Sequence, residues 1–200
     1  MDFGLSPEQE MLRDTVGRCL AETCPLDQVR SCVDAGSAVS DQVMAALADI
    51  GLTGLMVPEA HGGLGMSLLD AAVVAEQLGR TVAPAPFLAR SVLAPLALTL
   101  AGSPAQQAHW LPRIATGAVR FGVAIAGIVE ERDGAKVRAE AGGLTGTALF
   151  ALDFADADHF IVADESGRLH LLNAAANGVE RIALHTIDAT RSVGELQLTG

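Results

Sequence analysis

The sequence predicts an α+β protein. An N-terminal all-helical domain over residues 1–118 is followed by a small antiparallel β-barrel or β-sandwich domain over 119–200. Three observations carry this expectation. The helix start Ser-Pro-x-Gln occurs twice, at Ser6 and at Ser103, each a serine cap with a capping-box glutamine. Up to Gly117 the apolar residues recur at spacings of three and four. Beyond it they fall in short runs separated by Asp133-Gly134, Gly142-Gly143, Ser166-Gly167 and Asn177-Gly178, the punctuation of turns between strands.

The first helix starts at Ser6, buries Met11, Leu12, Val16, Cys19 and Leu20, and ends near Thr23, because Pro25 disfavours helical geometry at Cys24. A short helix and a loop at Gly36 are expected within Val29 to Ser37. Ser40 caps a further helix with Val43, Met44, Leu47 and Ile50 as its stripe and Gly51 as its stop. The stretch from Gly51 to Arg80 organises the helical half: an apolar segment, the Gly62-Gly63-x-Gly65 turn, then a helix capped by Ser67 with Asp70. Gly79 stands where a C-terminus favours positive φ. Leu68, Leu69, Ala71, Ala72, Val73 and Ala75 leave that helix almost no polar face, which predicts burial. After the Pro84–Pro86 connector a helix runs from Phe87 to Ala101, bent or broken at Pro95. The Ser103 helix carries Trp110, Leu111 and Ile114. Strands are expected at 120–129, 136–139, 146–152, 159–163, 168–172, 179–183 and 193–198.

Half of the 200 residues are hydrophobic and mean hydropathy is +0.36, yet no apolar run approaches the ~18 residues of a membrane-spanning helix. The longest candidate, Ser91 to Ala101, contains Pro95. Asp2, Glu8 and Glu10 stand where a secretory signal would be basic and then apolar. The surplus of apolar residues is therefore expected at subunit interfaces or against polypeptide outside these residues. A net charge of -11 with 13 basic residues argues against nucleic acid and anionic membranes as partners. Cys19, Cys24 and Cys32 lack the paired spacing of a metal site and read as reduced thiols of a cytoplasmic protein.

Glu59, His61 and the glycines after them match neither the dinucleotide nor the Walker fingerprint, so a structural turn is the better reading, and His61 has no identifiable catalytic partner. Asp153, Asp156 and Asp158 lack the glycine and closing glutamate of a calcium loop and read as a solvated loop. No metal site and no catalytic constellation emerges from the residues alone.

Several stretches nevertheless resemble the acyl-CoA dehydrogenase family, over the whole chain and in the right order: FGLSPEQEMLRDTV, GLMVPEAHGGLGMSLLDAAVVAEQLGR, QQAHWLPRIATGAVRFGVAI and GGLTGTALFALDFADADHFIVA. The resemblance implies a helical domain, a middle β domain and a C-terminal four-helix bundle. It implies an FAD-dependent α,β-dehydrogenation of acyl-CoA thioesters, with electrons passed to an electron-transfer flavoprotein. The bundle and the family's catalytic glutamate are not among these 200 residues, so no catalytic residue is assigned here. The flavin-contacting positions fall on Ala126, with Gly127, Ile128 and Val129 after it, and on Phe150, Ala151 and Leu152. Phe150 can stack on the flavin ring. Ala126 and Leu152 lack the hydroxyl chemistry of the family, which implies weak FAD binding by this chain alone. Some members that oxidise steroid side-chain thioesters are heterotetramers that divide these residues between subunits. The resemblance thus implies a homo- or hetero-oligomer acting on acyl-CoA, either as a truncated chain or as one subunit. The alternative is a non-catalytic partner subunit that shapes another subunit's substrate pocket; a third reading is an unrelated helix-plus-barrel binding domain.

Overall fold

The computed structural model describes residues 4–129 and 135–200; the Asp133-Gly134 turn lies outside them. Helix α1 (Pro7–Thr23) begins as expected: Ser6 Oγ accepts the Gln9 N–H while the Gln9 side chain reaches back to the Ser6 N–H. Gln9 also donates to Asp70 Oδ1 at 3.0 Å, tying the start of α1 to the start of α4 (Leu68–Arg80). Val16 and Leu20 are fully buried, but Met11 is 69% exposed. At 3.6 residues per turn Met11 lies roughly 140° round the helix from Val16, outside the stripe that meets α3 and α4.

Helix α2 (Leu26–Asp34) starts three residues before the expected span. Helix α3 (Asp41–Asp49) is capped by Ser40 and followed by Gly51 at φ 80°. The Glu59–Gly65 segment is a structural turn: a 3-10 turn over Glu59–His61 is closed by Gly62 at φ 82°. A Cβ on Gly63 would lie 2.1 Å from the Val57 carbonyl oxygen, so the chain crosses itself where only glycine fits.

Helix α4 has the Ser67–Asp70 capping box, but two expectations about it are corrected. It buries Ala71, Val73, Val74, Gln77 and Leu78, while Leu68 and Leu69 are more than half exposed. A uniformly apolar helix is buried all round only when something covers both faces, and the described residues cover one. Gly79 does not end it either. The helix runs on to Arg80, and the Thr81 hydroxyl donates to the Gln77 and Leu78 carbonyls, satisfying groups that a left-handed glycine would otherwise serve. The positive φ falls at Val82 instead.

The expected break at Pro95 is a continuous passage. A π-helical turn, Leu88–Leu93, runs directly into α5 (Ala94–Ala101), and Pro95 sits in the first turn of α5, where its missing N–H costs little. Helix α6 (Pro104–Ala115) repeats the Ser cap and box and buries Leu111 and Ile114.

Seven strands form one sheet: β1 (Phe121–Ala124), β2 (Val137–Glu140), β3 (Gly143–Leu152), β4 (His159–Ala163), β5 (Leu169–Asn173), β6 (Val179–Leu184) and β7 (Val193–Thr199). Their order is β5-β4-β1-β3-β7-β6, with β2 also paired to β3. The expected barrel or sandwich is therefore an open sheet, because its edge strands β5 and β6 lie at opposite ends with four strands between them. Nor is it wholly antiparallel, since β1 runs parallel to β4. The expected strand over 120–129 is cut to Phe121–Ala124 and followed by a single helical turn, α7 (Ala126–Val129). β1 meets β3 only at Val123↔Leu152, so little ladder is left to extend it.

Alternation sorts the sheet's side chains between two faces. Phe121, Val123 and Ile161 join Val57, Ala89, Leu98, Leu111 and Ile114 in a core shared with the helices. Ala148, Ala151, Phe154, Phe160, Val162, Leu196 and Leu198 fill the opposite face. The helical half has its own core around Val16, Leu20, Val43, Leu52, Leu55, Val74 and Leu78.

Candidate functional site

The site is built on the end of β3. Between Ala148↔Leu196 and Ala151↔Gly194 the β3–β7 register shifts, so three steps along β3 match two along β7 and one residue is squeezed out of the ladder. That part of the bulge carries Phe150 at φ 55° and 40% exposed. A bulky residue in the left-handed region is a conformational outlier that its surroundings must enforce. Asp153, three residues on, is a second one at φ 52°.

The β3 residues before and after Phe150 line two different cavities. The larger, about 570 Å³, is lined by Gly127, Lys136, Thr147, Leu149, Asp164 and Ser166 among others. The smaller, about 280 Å³ and mainly apolar, is lined by Ala75, Leu78, Phe87, Leu88, Leu152 and Asp153 among others. Of the residues expected to contact flavin, Ala126 is partly exposed at the start of α7 beside the larger cavity's Gly127, and Phe150 stands out at the bulge. Leu152 walls the smaller cavity. Ala151 is fully buried in the sheet core and can offer a ligand only its backbone.

The two cavities differ in electrostatics. In the β4–β5 turn Asp164 accepts from Ser166 Oγ at 2.6 Å, from the Ser166 and Arg168 N–H groups, and meets His170 Nε2 at 2.9 Å. The Ser166 hydroxyl first, then His170, holds its carboxyl well below the usual carboxylate range, so this wall of the larger cavity is a fixed anion. In the smaller cavity burial pushes the Asp153 carboxyl up, against the Ala89 N–H and the charges of Arg90 and Arg191. Asp153 Oδ2 accepts that N–H at 2.7 Å, serving the free donor at the start of the π-helical turn. Beside it the buried Arg90 pairs with Asp156, and Arg191 donates to the Ala83 and Ala85 carbonyls at 2.8 and 3.2 Å.

The expectation of a solvated loop at Asp153, Asp156 and Asp158 is thus corrected: Asp153 is 7% exposed and all three are engaged, Asp158 by Arg120 at 2.7 Å. Sequence reasoning missed these partners because Asp153 and Ala89 are 64 residues apart and no local pattern joins them. Among the described residues no three His, Cys, Asp or Glu side chains gather to hold a metal ion.

Measured against a flavin, the site fits in part. The exposed Phe150 offers a ring for stacking. Ala126, Gly127, Ala151 and Leu152 present no polar side chain to the hydrogen-bonding edge of the ring system, and a lost contact of that kind is worth about 0.5–1.5 kcal/mol. The polar side chains Lys136, Thr147 and Ser166 line the larger cavity instead.

Residues 6–118 match the family described as acyl-CoA dehydrogenase, N-terminal domain. The acyl-CoA dehydrogenase IpdE2 of Mycobacterium tuberculosis is 36% identical over 102 residues, half of this chain and 32% of that protein. A chain of the ChsE4–ChsE5 complex from Mycobacterium tuberculosis superposes with a TM-score of 0.88 at 29% identity, covering 100% of this chain and 56% of that one. A variant of the Tcur3481–Tcur3483 steroid ACAD gives 0.82 at 27% identity, covering 96% and 55%. The protein belongs to the acyl-CoA dehydrogenase family, and it spans about half the length of the solved relatives it matches. No helix among the described residues is long and apolar enough to cross a membrane.

Proposed function

We propose that this chain contributes the helical domain (1–118) and the middle β domain (119–200) to an FAD-dependent acyl-CoA dehydrogenase in which further polypeptide completes the active site. The observation that carries this reading is the bulge at Phe150, which exposes an aromatic ring on β3 between the stretches that line the two cavities, while Ala126, Ala151 and Leu152 carry no polar side chain. Phe150 stacks on the ring system, Ala126 and Leu152 form apolar walls, and Ala151 supports the strand from beneath. The missing hydrogen bonds and the carboxylate base come from outside these residues. FAD, when bound, supplies the hydride acceptor for α,β-dehydrogenation of an acyl-CoA thioester.

The likeness to the ChsE4–ChsE5 complex and to the Tcur3481–Tcur3483 steroid ACAD favours a hetero-oligomer with a second acyl-CoA dehydrogenase subunit and a steroid-type acyl substrate. Electron transfer to an electron-transfer flavoprotein and a cytoplasmic location follow from the same reading. The test is co-expression with candidate partner subunits, followed by assay of acyl-CoA-dependent dye reduction. Turnover by the co-purified pair that is lost with Phe150→Ala supports the proposal. Partner subunits that turn over equally well without this chain overturn it. A second reading, a non-catalytic subunit that shapes its partner's pocket, is favoured by Leu152, which offers a flavin no hydroxyl. It requires that turnover survive Phe150→Ala yet change in acyl-chain preference.

A further inference from the structure

Away from the bulge, an aromatic cluster closes the seam between α6 and the sheet. Trp110 meets His159 of β4 at 4.7 Å between ring centroids, Phe121 of β1 at 5.5 Å and its neighbour His109 at 4.5 Å. His159 also lies 5.7 Å from Phe121. The imidazole thus sits at the joint where one helix leans on the first two central strands. Its Nδ1 is buried with no hydrogen-bond partner among the described residues. A neutral ring tolerates this, because one nitrogen then carries only a lone pair. An imidazolium carries N–H groups on both nitrogens, so the buried one becomes an unsatisfied charged donor.

The charges facing this ring do not compensate. From the residue just before its strand comes Asp158, but both its carboxylate oxygens are engaged by Arg120, at 3.0 and 2.7 Å. From α6 come His109 and Arg113, in contact with each other, Arg113 lying 6.0 Å over the Trp110 ring. Phe121 of β1 and Asn173, the partner of His159 on β5, are uncharged. Burial first, and then His109, hold the His159 imidazole below its ordinary value against the pull of Asp158.

We propose that His159 is an acid-released latch between α6 and the sheet: neutral, it holds Trp110 against Phe121; protonated, it leaves the cluster and frees α6. The device is independent of the flavin reading and makes the joint between the helical half and the sheet responsive to mild acid.

Trp110 is the chain's one tryptophan, so its emission reports this seam alone. Emission and amide exchange are followed from about pH 8 to about pH 5, with α1 as the internal reference for intrinsic exchange. The wild-type chain is expected to show a reversible red shift and about a tenfold selective loss of protection in residues 104–115. His159→Phe, which keeps an aromatic contact and cannot titrate, abolishes both changes, with His159→Gln as a second non-titrating variant; His109→Gln retains them. A wild-type seam indifferent to pH, a transition that survives in the His159 variants, or one lost in His109→Gln overturns the proposal.

Discussion

The carboxylate of Asp153 accepts the N–H of Ala89 at 2.7 Å, joining the end of the bulged strand to the start of the π-helical turn. One bond thereby sets the spacing between Leu152 on the sheet side and Leu88 on the helical side of the smaller cavity.

Asp153→Ala removes the acceptor and leaves a buried N–H unpaired, and is expected to cost about 1–3 kcal/mol in denaturant unfolding. Asp153→Asn keeps an acceptor and discards the buried charge. The folded-state value of this carboxyl is raised, so its ionised form opposes folding as pH rises above 3.8. Asp153→Asn should therefore unfold at equal or higher denaturant than wild type at neutral pH, and lose that advantage in acid.

Phe150 occupies a left-handed backbone position that glycine adopts without strain. Phe150→Gly should leave unfolding free energy within about 1 kcal/mol of wild type, while flavin retention by the assembled enzyme falls. A large loss of stability would show that Phe150 serves the fold rather than a ligand.

Arg90 and Asp156 form an ion pair in which Arg90 is 8% exposed. Arg90→Met leaves Asp156, 27% exposed, with only the Arg120 guanidinium at 3.6 Å, and is expected to cost about 1–2 kcal/mol by urea titration. Pairing it with Asp156→Leu should recover part of that, because the partly buried carboxylate is removed and Arg120 keeps Asp158 at 2.7 Å.

What the sequence made legible was local. The Ser6–Gln9, Ser67–Asp70 and Ser103–Gln106 caps each lie within four residues, and all three form. The strand segments were also readable, because alternation and glycine turns act over a few residues. Sheet closure was not, since it depends on whether β5 meets β6, strands with no pattern linking them. Met11, Leu68 and Leu69 were misjudged for a related reason: periodicity says which residues share a face, and cannot say what covers it. At the candidate site, resemblance alone pointed to Phe150, and its left-handed backbone and the Asp153–Ala89 bond arise from register and tertiary contact.

Asp164 gives a pH signature of opposite sign to Asp153. Its folded-state value is depressed by Ser166 and His170, so its contribution to stability is present above pH 3.8 and lost as pH falls toward the folded-state value. Asp164→Asn should be less stable than wild type at neutral pH. In thermal melts the gap should narrow steadily once the pH drops below 3.8.

The flavin content of the chain purified on its own, against that of the chain co-purified with a second acyl-CoA dehydrogenase subunit, tests the central reading most directly. Phe150 supplies a stacking face, and Ala126, Ala151 and Leu152 bring no polar side chain to the ring edge. The chain alone should therefore be colourless, with well under one flavin per chain, and the assembly should carry the visible flavin band. A stoichiometric, yellow complex formed by these 200 residues alone would contradict it.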